Sequence, residues 1–146
     1  MKMLAGVIAL VVGAGLAAQV GFNGGLKARV GHPTPAALIS FATGTIALIA
    51  YGLATRTFGP FDGALGGPWW IWMGGLVGAV YVVSAAAYGP RLGAAAWMGL
   101  VIAGQVLASL AFDHFGMLEF AVHPLNAGRV VGAVLLLAGV VMVLVF

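Results

Sequence analysis

The sequence predicts an all-α membrane protein of five transmembrane helices, and three observations carry that prediction. Of 146 residues, 63% are hydrophobic and only 6% are charged, where a soluble domain has about 25% charged. So few charges cannot keep a protein surface wetted, so lipid is the main solvent. Five separate stretches reach the roughly 20 apolar residues that crossing about 30 Å of hydrocarbon requires. The 24 glycines suit helices that approach one another closely in a bilayer.

The first stretch, about 3–25, follows Met1-Lys2-Met3. It exceeds the apolar run of a signal peptide, and four more stretches follow, so it reads as a span. Thr34-Pro35 supplies a cap and a first-turn proline for the second span, about 35–55. Phe61-Asp62-Gly63 and Gly66-Gly67-Pro68 punctuate the next loop. Trp69, Trp70 and Trp72 open the third span, about 69–88, where amphipathic rings settle at headgroup level. Gly89-Pro90 predicts a very tight connection to the fourth span, about 92–112, making those two helices antiparallel neighbours. Asn126 is a cap for the fifth, about 127–146, and 130–146 has no polar side chain. The whole chain, 1–146, is expected to be one transmembrane domain without linker or low-complexity tail.

Five spans put the termini on opposite sides. One side then carries Lys2, Arg56 and Arg129, the other Lys27, Arg29 and Arg91. That balance silences the positive-inside rule. Either other features orient the chain, or it inserts both ways up and opposed copies pair about an axis in the membrane plane. A net charge of +3 without a clustered basic face excludes a nucleic-acid partner. With no cysteine, disulfide and thiolate chemistry are excluded as well.

Polar side chains in hydrocarbon face protein or a wet cavity, and here they fall on faces. Gln19 and Asn23 are four apart on the first span, hence stacked. Ser40 and Thr43 share a face of the second beside Gly44, with Thr45 nearby. Tyr81, Ser84 and Tyr88 recur at helical spacing on the third; Trp97, Gln105 and Ser109 do so on the fourth. One reading is a polar cavity lined by these ten residues, Thr45 apart, from the first four helices. The other is interhelical hydrogen bonding that holds the bundle. Serine and threonine suit the second reading, because they also bond their own backbone. Gln19, Asn23 and Gln105 suit the first, because an amide's two donors and two acceptor lone pairs are hard to satisfy in a dry interface. The fifth span offers Gly128, Gly132 and Gly139, either for packing within the chain or for an oligomer contact.

No Asp, Glu, Lys or His lies mid-span. Asp113 reads as a solvated helix end. His114 and His123 lack the clustered partners of a metal site, so neither metal nor cofactor is expected. There is no nucleophile–base pair, P-loop or dinucleotide fingerprint, which argues against an enzyme and against direct ATP drive.

Several segments together resemble one family. They are Gln19-x-x-x-Asn23, Ser40-Phe41-x-x-Gly44-Thr45, and Pro68-Trp69-Trp70 leading into Gly74-Gly75-x-x-Gly78-Ala79-x-Tyr81-Val82. Pro90-Arg91-Leu92-Gly93-Ala94-Ala95, Gly104-Gln105 and Asp113-His114-Phe115-Gly116 complete the set. Over nearly its whole length the chain resembles the YdcZ-like family of the drug/metabolite transporter superfamily. The resemblance implies a half-size transporter in the inner (plasma) membrane of a bacterium. It would pair as an antiparallel homodimer, or with a paralogous five-helix partner, to give ten helices. The small multidrug resistance branch carries a glutamate in its first helix. Here Gln19 and Asn23 stand in that helix instead, which speaks against proton-coupled export of cationic drugs. The expected function is secondary transport of a small polar metabolite or drug-like solute by alternating access. A dual-topology ion channel and a non-transporting assembly subunit are the alternatives.

Overall fold

The computed structural model describes residues 2–59 and 62–146. Met1 and Phe61, which figure in the sequence reading, lie outside the described residues. Among those residues the chain is helical: α1 Lys2–Val30, α2 Pro33–Thr55, a short α3 Asp62–Leu65, α4 Met73–Leu92, α5 Ala94–Phe115 and α6 Ala127–Val145. Single 3-10 turns, Trp69–Trp72 and Met117–Glu119, precede α4 and follow α5. Five of these segments are long and apolar enough to cross a membrane. Their outward residues include Leu10, Ile46, Val80, Leu107 and Leu135, all exposed. Such faces are stable only against lipid or another helix. This is a multi-pass membrane protein, built of two compact units, Met1–Arg91 and Leu92–Phe146.

In the first unit, α1 runs five residues past the expected end of its span. Its 29 residues measure about 44 Å at 1.5 Å each, more than the hydrocarbon needs. Gly24 and Gly25 do not stop it, because backbone groups at the membrane must find partners within the helix. The last turn carries Lys27 and Arg29, which suit the negative end of the helix dipole. Arg29 Nη1 also donates to the Gly25 carbonyl at 3.2 Å.

The cap of α2 is His32 rather than Thr34. Its Nδ1 accepts from the Thr34 N–H at 3.2 Å. Pro33 already occupies the first helical position, where its missing N–H costs nothing, so the helix starts two residues early. The tight connection expected at Gly89-Pro90 lies instead at Gly93. Helix α4 continues through Pro90 to Leu92, because a proline in the last turn forfeits only its own bond to the residue four before it. Gly93 then takes φ 87°, ψ 148°, a region nearly closed to other residues, where a side chain would cost about 1–3 kcal/mol.

The buried core of this unit is small-residue packing: Val20 and Asn23 of α1, Ala36 and Ala37 of α2, Val82, Ala85, Ala86 and Gly89 of α4. Small residues bring backbones close, and two contacts show how close. A Cβ on Gly24 would sit 2.8 Å from Pro90 Cγ, and one on Gly78 would sit 3.4 Å from the Phe41 ring.

In the second unit, α5 and α6 pack with Val140 against Gly99, 3.4 Å from where its Cβ would lie. Ala103, Ala133 and Val140 are buried. Asn126 caps α6 as expected, its Oδ1 accepting from the Arg129 N–H at 3.0 Å. Asp113 is not a solvated helix end. Arg129 Nη2 pairs with its Oδ2 at 3.0 Å, and Arg129 Nη1 donates to the His123 carbonyl at 2.9 Å. The His123 N–H donates to the Asp113 carbonyl at 2.8 Å. A helix end facing a loop that folds back supplies its own counter-charge, a long-range pairing that spacing along the chain does not reveal.

Candidate functional site

Three helices of the first unit flank an open cavity of about 260 Å³. It is lined by Gln19 of α1, Ser40, Phe41, Gly44, Thr45 and Leu48 of α2, and Val82 of α4. The α2 residues form one stripe at 40, 44 and 48, with 41 and 45 on its flank, as 3.6 residues per turn dictates. The chemistry is a carboxamide and two hydroxyls set against an aromatic ring and aliphatic walls, with no charged side chain among the lining residues. A concave, mostly apolar site with a few convergent polar groups is the usual form of a small-molecule site.

The ten residues singled out from sequence are distributed unevenly. Gln19 and Ser40 line this cavity. Asn23 lies one turn beyond Gln19, 1% exposed, and its Nδ2 has no hydrogen-bond acceptor. Thr43 falls on the other side of α2, exposed, with its hydroxyl bonded to the Ile39 carbonyl at 2.9 Å. Tyr81 and Ser84 are half-buried and Tyr88 is exposed on α4. In the second unit Trp97 is half-buried and its Nε1 lacks an acceptor, while Gln105 and Ser109 are exposed on α5.

Phe41, Thr45, Leu48 and Val82 join the site without having been chosen for it. Spacing from Ser40 alone favours Thr43, three residues on; Thr45 enters because the cavity takes the flank of the 40, 44, 48 stripe that carries Phe41. Lys27 was also missed. Its Nζ donates to the Ala87 carbonyl at 3.2 Å, half-buried between α1 and α4.

A second hollow, about 490 Å³, lies along α5 and α6, lined by Leu107, Leu110, Ala111, Leu125, Val130 and Val134 among others. It is larger but almost wholly apolar, with His114 its one polar side chain. It lacks the convergent polar groups that orient a solute, so the smaller cavity is the better candidate site.

The five apolar helices define a multi-pass membrane protein, with an open, largely apolar cavity on the first unit. Residues 4–142 match a family model described as "Putative inner membrane exporter, YdcZ". The chain belongs to this family, within the drug/metabolite transporter superfamily. No curated protein and no solved structure matches it.

Proposed function

We propose that the protein is a secondary transporter that moves a small polar metabolite or drug-like solute across the inner membrane by alternating access. The observation that carries this reading is the cavity of the first unit, where Gln19, Ser40 and Thr45 stand among apolar walls in a bundle of membrane spans. A neutral carboxamide and hydroxyls orient a solute by hydrogen bonds without demanding that it be highly charged. The family description supports outward movement.

The working unit is an inverted pair of five-helix chains. The equal division of basic residues between the two sides supports insertion in both directions. So does the surface of α6, where a Cβ on Gly132 or Gly139 would meet nothing within 4 Å. Two glycines one heptad apart give a second helix room to approach. Reporters fused to either terminus should signal from both sides of the membrane. Signal from one side alone would rule out pairing of opposed identical chains.

Proteoliposomes loaded with a metabolite extract give the direct test, with export followed by mass spectrometry. The wild-type chain should deplete particular solutes with saturable kinetics. Gln19→Ala should slow that export about ten-fold while leaving assembly intact, the range for one hydrogen bond left unmade to a bound group. Unchanged export in Gln19→Ala sinks the assignment of the cavity. Non-saturable ion flux with single-channel currents would favour a channel instead.

A further inference from the structure

The face of α1 that carries Gln19 does not end there. Asn23 and Lys27 follow at four-residue intervals, so the three side chains stack along one side of the helix. At 1.5 Å per residue, Asn23 lies about 6 Å and Lys27 about 12 Å beyond Gln19. Helix α4 keeps pace: Val82 lines the cavity, and Ala87, which holds the lysine, lies about 7.5 Å further along.

Every polar group on this track past Gln19 has donors to spare. Asn23 is 1% exposed, the only buried polar residue among those described, and its Nδ2 donates to nothing. The Lys27 ammonium has three N–H donors. It uses one on the Ala87 carbonyl and forms no ion pair among the described residues. A buried amide donor without an acceptor is rare and calls for a reason. The Lys27 ammonium does have a carbonyl acceptor, but half-buried it has no carboxylate beside it among the described residues. Neither Asn23 nor Lys27 lines the cavity itself; together they form a positive, donor-rich pole that begins one helical turn past its Gln19 edge.

We propose that this pole recognises a carboxylate, and that the solute is a small organic acid with an apolar body. The carboxylate accepts from Asn23 Nδ2 and pairs with the Lys27 ammonium. The body lies against Phe41 and Val82, at the Gln19 and Ser40 end of the cavity. A cationic solute would meet the lysine charge and be rejected. The inference rests on the transporter reading for treating the bound molecule as cargo.

The test separates binding from transport. Full-length protein in nanodiscs of zwitterionic phosphatidylcholine is titrated with 4-methylpentanoate and with its uncharged primary amide, 4-methylpentanamide, and binding is read by ligand-detected NMR. The acid should bind at least about ten-fold more tightly than the amide, the range for a charge-assisted hydrogen bond. Lys27→Gln should erase that preference, and Lys27→Arg should keep it. Asn23→Leu should reduce binding of the acid while making the fold more resistant to denaturation, since it removes a buried unpaired donor. A purely structural asparagine would not give that pair of opposite shifts. Equal binding of acid and amide overturns the proposal. So does a preference that survives both Lys27→Gln and Asn23→Leu, or no binding of either probe at millimolar concentration. A carboxylate preference in a protein that exports nothing would overturn the transporter reading and leave the recognition site standing. Export of uncharged solutes without that preference would do the reverse.

Discussion

Gly24→Ala is expected to destabilise the protein by about 1–2 kcal/mol, and Gly21→Ala to stabilise it by up to about 1 kcal/mol. Both glycines lie in α1, three residues apart, and alanine is the better helix former at either by about 1 kcal/mol. Their surroundings reverse the sign. A Cβ on Gly21 meets nothing within 4 Å, while one on Gly24 falls 2.8 Å from Pro90 Cγ. A clash with the tip of a flexible side chain relaxes by a change of rotamer. The pyrrolidine ring of Pro90 is closed onto its own backbone, so relief requires α1 and α4 to move apart. Overpacking of that kind costs about 1–3 kcal/mol, which outweighs the gain in propensity. Separation also stretches the Lys27 Nζ to Ala87 carbonyl bond, 3.2 Å in the intact fold. Unfolding in mixed micelles with rising dodecyl sulfate measures both variants on one scale. Equal shifts for the two would mean that Pro90 does not hold α1 in place. Gly24→Leu should go further and prevent α1 and α4 from packing.

Features of the chain that depend on one helix at a time were legible in the sequence. Hydropathy and length alone define the five spans. The Asn126 cap is equally local, since it depends on side-chain chemistry within three residues. Features that depend on two segments were not. Nothing in the Asp113-His114 sequence says that Arg129, sixteen residues on, will supply its counter-ion. The break at Gly93 was misplaced because glycine followed by proline reads as a turn, whereas the backbone angle that only glycine adopts lies three residues later. The cavity was legible in part. The amides were chosen because hydrocarbon leaves them few partners, and Gln19 does face the hollow. Phe41, Leu48 and Val82 could not be told from lipid-facing residues, because an apolar wall and an apolar exterior have the same composition. Lys27 was passed over for a related reason. Ending the first span at Gly25 placed it in a loop, although its spacing from Asn23 repeats the step from Gln19.

Arg129→Gln is expected to destabilise the second unit by about 2 kcal/mol, with Asp113→Asn costing about half as much. The Arg129 guanidinium makes two bonds, to the Asp113 carboxylate at 3.0 Å and to the His123 carbonyl at 2.9 Å. Its side chain is 31% exposed and that of Asp113 is 27%. Exposed ion pairs contribute about 0–1 kcal/mol, and breaking a fully buried pair costs about 3–5, so a part-buried pair falls between them. In Asp113→Asn the carboxamide oxygen could still accept from the guanidinium, which makes the aspartate change the milder of the two. In a double-mutant cycle the coupling should be about 1 kcal/mol and should weaken in concentrated salt, since part of the pair is open to screening. The loss should also show in the connecting segment. The Arg129 guanidinium and the His123 N–H both tie that segment back to the end of α5. With the guanidinium gone, one backbone bond to the Asp113 carbonyl, the Leu125 N–H to His114 Nδ1 contact at 3.2 Å and the Phe120 ring stacked on Phe112 at 6.5 Å remain. Protease cleavage around Leu118–Ala121 should therefore quicken in Arg129→Gln and change little in Asp113→Asn, which keeps the bond to His123. Coupling near zero with unchanged cleavage would show that the other contacts hold the segment, and that the ion pair is incidental.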